Sequence, residues 1–318
     1  MSRVSRLTLI TTAALLFTAS AQAQTELRIL APATAGSGWD NVAQAMAETL
    51  KAEKLASSVS VYNIPGKAGT LGLAEFVKLR GQPNNLMLTG FVMVAGIPIN
   101  KSPYDLSSDV TPIARLLTSY EVLVVSAKSP YKNVDELIGA FKASPGSIRF
   151  GGSSEGGSGH VAVGTLAKEL KIPMSQVKYV PSAGGAQAAK AMLNGEIDVV
   201  SAGYSEVEDL IKSGQARGLA ILSPEAVPGI NLPTLISKGY DVDVSNWRGV
   251  VAPGKISAAQ RSQLTVMLTR MVRTDTWKKK LEENKWNAYF ASGETFDRFV
   301  RVQKTTVAQL LQDLNILK

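Results

Sequence analysis

The chain has no cysteine and a single histidine among its 318 residues. The first absence excludes disulfides and thiolate metal sites, so the fold must be held by its own apolar core. The second leaves only scattered carboxylates as metal ligands, and neither a metal site nor a cofactor is expected. Beyond the N-terminus no segment reaches about 18 consecutive apolar residues, the usual minimum for a membrane-spanning helix. Charge is not concentrated either. The formal net charge is +8, and the densest basic cluster, Lys278-Lys279-Lys280, sits in a helix-like stretch with Trp277 and Leu281. That is the pattern of a solvated helix face, and no nucleic-acid partner is expected. A modest positive field would still raise encounter rates with anionic solutes.

What is present begins with a leader. Arg3 and Arg6 precede an apolar stretch from Leu7 to about Ala19, and Ala21-Gln22-Ala23 follows as a small-x-small pattern. The stretch is too short to span a bilayer, and its flanks are those of a signal peptide cleaved after Ala23. Residues 1–23 are therefore expected to be removed, which lowers the formal charge to +6. No cysteine follows for a lipid anchor, so the mature chain is expected free in the periplasm, and as a monomer. The roughly 295 residues that remain exceed one ordinary domain and suggest two.

From Leu27 onward the pattern alternates strand, Gly/Pro loop and helix, which predicts parallel α/β architecture. Strand 27–31, loop 33–38 and helix 39–54 form the first unit; strand 59–64, loop 65–69 and helix 70–79 form the second, before a strand at 86–91. Residues 98–112 read as a turn-rich excursion. The motif then recurs as helix 133–142, strand 148–150 and helix 161–170, and again as strand 177–180, loop 181–185 and helix 186–193, which Asn194-Gly195 can close. Strand 197–201, helix 206–212 and strand 219–222 follow, and from Ser257 the chain reads as helices. Two β-branched runs, 121–126 and 246–252, are candidate crossings between domains. They divide the chain into 24–121 plus 247–318 and 122–246, with a hinge and a cleft beside it.

The densest functional signal is Gly151-Gly152-Ser153-Ser154-Glu155-Gly156-Gly157-Ser158-Gly159-His160, set between a strand-like and a helix-like run. Such a loop leaves backbone N–H groups free and adds hydroxyls at a helix N-terminus, whose dipole favours negative charge. It reads as a seat for an anion. The first loop ends similarly, with Ser37 and Asp40 three apart in the geometry of a capping box.

Gly152-Ser153-Ser154-Glu155-Gly156 also fits the nucleophile elbow G-x-S-x-G. An α/β-hydrolase, however, needs its histidine well downstream of the nucleophile, and His160 follows Ser154 by only six residues. A periplasmic serine hydrolase using Ser154, with a lysine as base, stays as the alternative. Gly157-Ser158-Gly159-His160-Val161-Ala162 matches a loose dinucleotide fingerprint, but the next strand ends in Val180-Pro181-Ser182, without the acidic residue that fingerprint wants. No segment fits a nucleotide phosphate loop.

Taken in order, several stretches carry a likeness that none carries alone. They are Gly36-Ser37-Gly38-Trp39-Asp40, Asn63-Ile64-Pro65-Gly66-Lys67-Ala68-Gly69, Tyr104-Asp105, Asp109-Val110-Thr111-Pro112-Ile113-Ala114-Arg115, Pro181-Ser182-Ala183-Gly184-Gly185 and Gly195-Glu196-Ile197-Asp198. The chain resembles the extracytoplasmic solute-binding proteins of tripartite tricarboxylate transporters, also called Bug receptors, from about Leu27 to Phe299. Trp39-Asp40, the 151–160 loop, Gly203-Tyr204 and Asn246-Trp247-Arg248-Gly249 resemble the tricarboxylate-receptor branch. Lys67 and Glu155 depart from the family pattern, standing where small and neutral residues are common.

The resemblance implies a two-domain periplasmic-binding-protein fold of the Venus-flytrap type, with two crossing strands as hinge. It implies a non-enzymatic receptor for a small carboxylate, citrate or a similar tricarboxylate first and dicarboxylates next. Handover to a membrane permease of one large and one small subunit is implied with it. The candidate contacts are Thr34, Gly36, Ser37, Gly38, Trp39 and Asp40 from one jaw. From the other come Ser153, Ser154, Gly157, Ser158, His160, Ser182, Gly184 and Gly185. Hydroxyls and N–H groups would hold carboxylate oxygens, Tyr204, His160 and Arg248 would add polar contacts, and Trp39 would wall the cleft.

Overall fold

A computed structural model describes residues 26–317; the expected signal peptide lies outside them. The first half opens with β1 (Glu26–Ala31), α1 (Gly38–Ala52), β2 (Ser58–Asn63), α2 (Thr70–Val77), β3 (Asn85–Gly90) and α3 (Phe91–Ile99), and then runs into the 17-residue β4 (Val110–Ser126). It continues through α4 (Val134–Ala143), β5 (Arg149–Gly152), α5 (Ser158–Glu169), β6 (Lys178–Pro181), α6 (Gly185–Leu193), β7 (Val199–Gly203), α7 (Tyr204–Lys212) and β8 (Ala216–Ile221). The chain returns along β9 (Ser245–Pro253) and ends with α8 (Ala258–Met271), α9 (Asp275–Glu283), β10 (Asn287–Ser292) and α10 (Gly293–Asp313).

The strands share one sheet ordered β2-β1-β3-β9-β4-β7-β5-β6, with β8 and β10 also paired to β4. The β1–β2, β1–β3, β5–β6 and β5–β7 pairs are parallel, as crossover connections through helices require. β4 and β9 run antiparallel to their neighbours, so the sheet is mixed rather than purely parallel. β4 changes partners along its length. Val110–Tyr120 lies against β9, with β10 alongside, whereas Glu121–Ser126 lies between β7 and β8. β4 is buried along almost its whole length, which suits a strand covered on both faces.

Two elements differ from the sequence expectation. Residues 91–99 form helix α3, where the sequence reading ends a strand at 91, begins a turn-rich excursion at 98 and assigns no element between. Phe91, Met93, Val94, Ala95 and Gly96 are all buried, so the segment has no polar face and no helical periodicity to mark it. β10 lies in a region that reads as helical throughout. It pairs with β4 alone, through a bulge between Ala288 and Ala291. Its Tyr289 ring and the Phe299 ring of α10 enclose the Arg115 guanidinium at 3.4 and 4.2 Å, a tertiary contact with no local signature.

The C-terminal helix reaches across the molecule. Leu311 and Leu314 are buried, a Cβ on Gly164 would come within 3.0 Å of Leu314, and Lys168 of α5 pairs with Asp313 at 3.0 Å. Among the described residues no helix is long and apolar enough to cross a membrane.

Candidate functional site

The loops that follow β1 and β5 both line a cleft of about 260 Å³. Its first wall comes from Thr34, Ser37, Gly38 and Trp39, joined by the Pro65–Gly69 turn and Val92. The opposite wall comes from Ser153, Ser154, Ser158, Ala183, Gly184 and Gly185. Glu206, Asn246 and Arg248 complete the lining. Ligand sites at the carboxyl ends of strands are the rule in open α/β sheets, because there the helix N-termini converge.

Those N-termini lack a cap from their own N-cap side chains, although the Gly159 N–H of α5 donates to the Ser153 Oγ at 3.0 Å. Helices α4, α8 and α9 are capped by the side chains of Asn133, Ser257 and Thr274. By contrast, the N-cap residues of α1, α5 and α6 make no side-chain cap. Ser37 therefore does not cap α1 as the sequence suggests; its Oγ is buried without a partner. Asp40 instead braces the loop behind it. Its carboxylate accepts from the Gly36 N–H at 2.8 Å and the Asn63 Nδ2 at 3.0 Å, and Asn63 also donates to the Ala33 carbonyl at 3.0 Å.

Arg248 is 5% exposed. Its Nη1 donates to the Gly38 carbonyl at 2.9 Å, its Nε has no partner, and no carboxylate is paired with it among the described residues. The guanidinium lies so close to α1 that a Cβ at Gly38 would fall 2.5 Å from Nη2. Burial pulls its pKa down, opposed by the charges of Glu206 and Glu121, and it stays cationic because a guanidinium titrates so high. Beside it, Asn246 donates to the Ser158 Oγ at 3.1 Å and to Glu121 at 3.3 Å, while its own Oδ1 is buried and unpartnered. Buried polar groups are almost always satisfied, so Ser37 Oγ, Asn246 Oδ1 and Arg248 Nε, all on residues that line the cleft, are exceptions concentrated in one place.

Two carboxylates stand near the guanidinium. Glu206 spans two helix starts, accepting from the Gly185 N–H of α6 at 3.2 Å and the Gly203 N–H of α7 at 3.3 Å. Glu121 is 2% exposed. Burial pushes its pKa from 4.5 to about 7; the Glu206 charge adds to the rise, while hydrogen bonds from Ser158 and Asn246 and the charge of Arg248 oppose it.

Of the residues expected to touch a ligand, Thr34, Ser37, Gly38, Trp39, Ser153, Ser154, Ser158, Gly184, Gly185 and Arg248 meet at this cleft. Trp39 is held by Gly69, where a positive φ of 86° and a Cβ position 2.7 Å from the indole leave no room for a side chain. The other expected contacts stand elsewhere. Gly36 and Asp40 form the brace behind the first loop. Gly157 is the N-cap of α5. Ser182 lines an adjoining depression with Glu155 and Gln187. Tyr204 lines a separate gap beside Tyr120 and Trp286.

His160 faces away from the cleft, into a groove with Met174 and Ile316. Its Nδ1 accepts the Gly156 N–H at 3.0 Å, and its ring stacks on Tyr179 at 4.1 Å. Burial lowers its pKa to about 4, so the imidazole is neutral at physiological pH. Ser154 makes no hydrogen bond with it, so the one histidine is not placed to activate that hydroxyl. Among the described residues no group of three or more acidic or histidine side chains is placed to hold a metal ion.

The lining also includes residues not expected from sequence: the 65–69 turn, Val92, Glu206 and Asn246. The turn had a signal, since it is a third Gly-rich loop after a parallel strand. Glu206 had none, because a glutamate in a first helical turn is ordinary.

A family model described as tripartite tricarboxylate transporter family receptor matches residues 42–316. The protein BugT of Bordetella pertussis is 26% identical over 276 residues, covering 85% of this chain and 80% of that protein. Among solved structures, the periplasmic binding protein BugD superposes with a TM-score of 0.83 at 21% identity, covering 92% of this chain and 98% of that one. An R. palustris protein with adipate does so with a TM-score of 0.83 at 20% identity, again over 92% and 98%. These likenesses show the fold, the two-domain α/β architecture of periplasmic binding proteins.

Proposed function

Because this chain belongs to the tripartite tricarboxylate transporter receptor family, we propose that it is a non-enzymatic periplasmic receptor which binds a small carboxylate between its two lobes and delivers it to a two-subunit membrane permease. The observation that carries the ligand class is Arg248, a buried guanidinium with no carboxylate partner among the described residues, set against the N-terminus of α1 in a cleft that the start of α5 also lines. Each helix end adds roughly half a positive charge, a field that holds an anion without a permanent ion pair and lets it leave again. A cleft of about 260 Å³ suits a small polycarboxylate. Citrate or a similar tricarboxylate is the first ligand class, and dicarboxylates are next; the adipate carried by one structural neighbour supports that range.

The lobes are assigned as 24–121 plus 247–318 and 122–246, a division supported by the change of β4 partners between Tyr120 and Glu121. Closure about β4 and the start of β9 would bury the ligand and present a new surface to the permease.

The test is a thermal-shift panel of di- and tricarboxylates on the wild type and Arg248→Met. A ligand at a hundred times its Kd adds about 2.7 kcal/mol of stability. Wild-type protein should shift with at least one such acid, and Arg248→Met should lose at least about a hundredfold in affinity, as expected when a charge-assisted contact is deleted. If no carboxylate shifts the wild type, the ligand class is wrong.

A further inference from the structure

The cleft that receives an anion also contains an anion, and that pairing selects the ligand. Glu206 reaches the lining from the first turn of α7, and its two oxygens accept one N–H each, from Gly185 and Gly203, at 3.2 and 3.3 Å. A carboxylate carries about four acceptor positions and no donor, so both oxygens keep capacity toward the cleft. The two amide bonds hold the group in place: it cannot swing out of the way of a ligand without stripping the N-termini of α6 and α7. The charge of Glu206 is felt at Arg248, which it favours in the cationic form, and at Glu121, which it disfavours in the anionic form.

A plain polycarboxylate seated on Arg248 and the α1 and α5 N-termini would bring its own oxygens against a fixed like charge. Acceptor against acceptor at close range is repulsive and leaves both desolvated groups unsatisfied. A ligand with a hydrogen-bond donor beside its carboxylate turns the same group into a partner. Arg248, in the same lining, is the cation that would meet the ligand's carboxylate.

We propose that Glu206 is the specificity-determining residue of the cleft, selecting carboxylates that carry a hydroxyl or ammonium substituent over the same acids without one. This rests on the receptor reading above and refines it. The donor-bearing acid is held by its carboxylate at Arg248 and by its substituent at Glu206. The unsubstituted acid meets Glu206 with nothing to give.

Matched acids test it. Calorimetric titration of the wild type compares citrate with tricarballylate, which lacks only the hydroxyl, and malate and aspartate with succinate. A hydrogen bond to a charged acceptor corresponds to about ten- to hundredfold in affinity, so at least one substituted acid should bind at least about tenfold tighter than its parent. The malate and aspartate arms tell which donor, hydroxyl or ammonium, Glu206 prefers. In Glu206→Gln, checked for folding by circular dichroism, the preference should collapse below about threefold. If the wild type binds an unsubstituted acid as tightly as its substituted partner, the inference fails while the carboxylate reading stands. A preference that survives Glu206→Gln likewise overturns it. If no acid of either kind binds, the receptor reading itself has failed. The wild-type comparison does not depend on the variant folding.

Discussion

Replacing Glu121 with glutamine should make the protein more stable at alkaline pH and leave it little changed at acid pH. Glu121 is buried at the point where β4 changes partners, and burial raises its pKa from 4.5 to about 7. A carboxyl group whose pKa is higher folded than unfolded binds its proton more tightly in the native state. Its contribution is intact below pH 4.5 and is progressively lost as pH rises toward 7. At about 1.4 kcal/mol per pH unit, that interval amounts to about 3 kcal/mol.

His160 works in the opposite sense. Its pKa falls from 6.5 to about 4 on burial, so the unfolded chain takes up a proton that the native state refuses, and stability is lost as pH falls through that window. The two effects nearly cancel between about pH 4.5 and 6.5 in the wild type, which hides each of them. The difference between wild type and Glu121→Gln removes the His160 share.

Glutamine also suits the site sterically. It can keep accepting from Asn246 Nδ2, and its amide can donate to the orphaned Asn246 Oδ1. Urea unfolding at pH 5, 6, 7 and 8 should show the variant gaining on the wild type by about 2.5 kcal/mol across the series. A difference that is the same at every pH, within about 0.5 kcal/mol, would refute the assignment of Glu121 as a buried acid titrating near neutrality.

Gly38→Ala places a methyl group 2.5 Å from the Arg248 Nη2 and displaces the guanidinium, so affinity in calorimetric titration should fall at least about tenfold, while the melting temperature moves only a few degrees. His160→Ala removes the ring from Tyr179 and leaves the Gly156 N–H without an acceptor. It should cost about 2–3 kcal/mol in urea unfolding and change carboxylate affinity less than threefold, since the histidine braces the loop from outside the cleft. A tenfold loss of affinity at full stability would instead return His160 to the binding surface.

The repeated order of apolar run, Gly-rich loop and helix was enough to place β1, α1, β2, α2 and the strand–helix units of the second lobe, because strand and helix periodicities are local properties. The same logic grouped Thr34, Ser37 and Gly38 after β1 and Ser153, Ser154 and Ser158 after β5, since each parallel set of strands delivers its strand-to-helix loops to one edge. That the two loops line one cleft is a tertiary fact, because β1 and β5 run in opposite directions across the mixed sheet. Local pattern also misled. α3 goes unread because its apolar residues leave no polar face to mark a helical period, and β10 is a strand only because β4 offers it an edge. His160 stands in the most ligand-like loop of the chain, yet its ring turns to Tyr179, a partner 19 positions away in the chain. What tertiary structure alone decided is the electrostatic identity of the cleft. Arg248 and Asn246 come from the returning strand, Glu206 from the α7 start and Glu121 from the crossing strand, three segments whose mutual distances no local pattern encodes. Whether a charge is free to meet a ligand depends on which opposite charge lies within a few ångströms, and only the folded chain sets that.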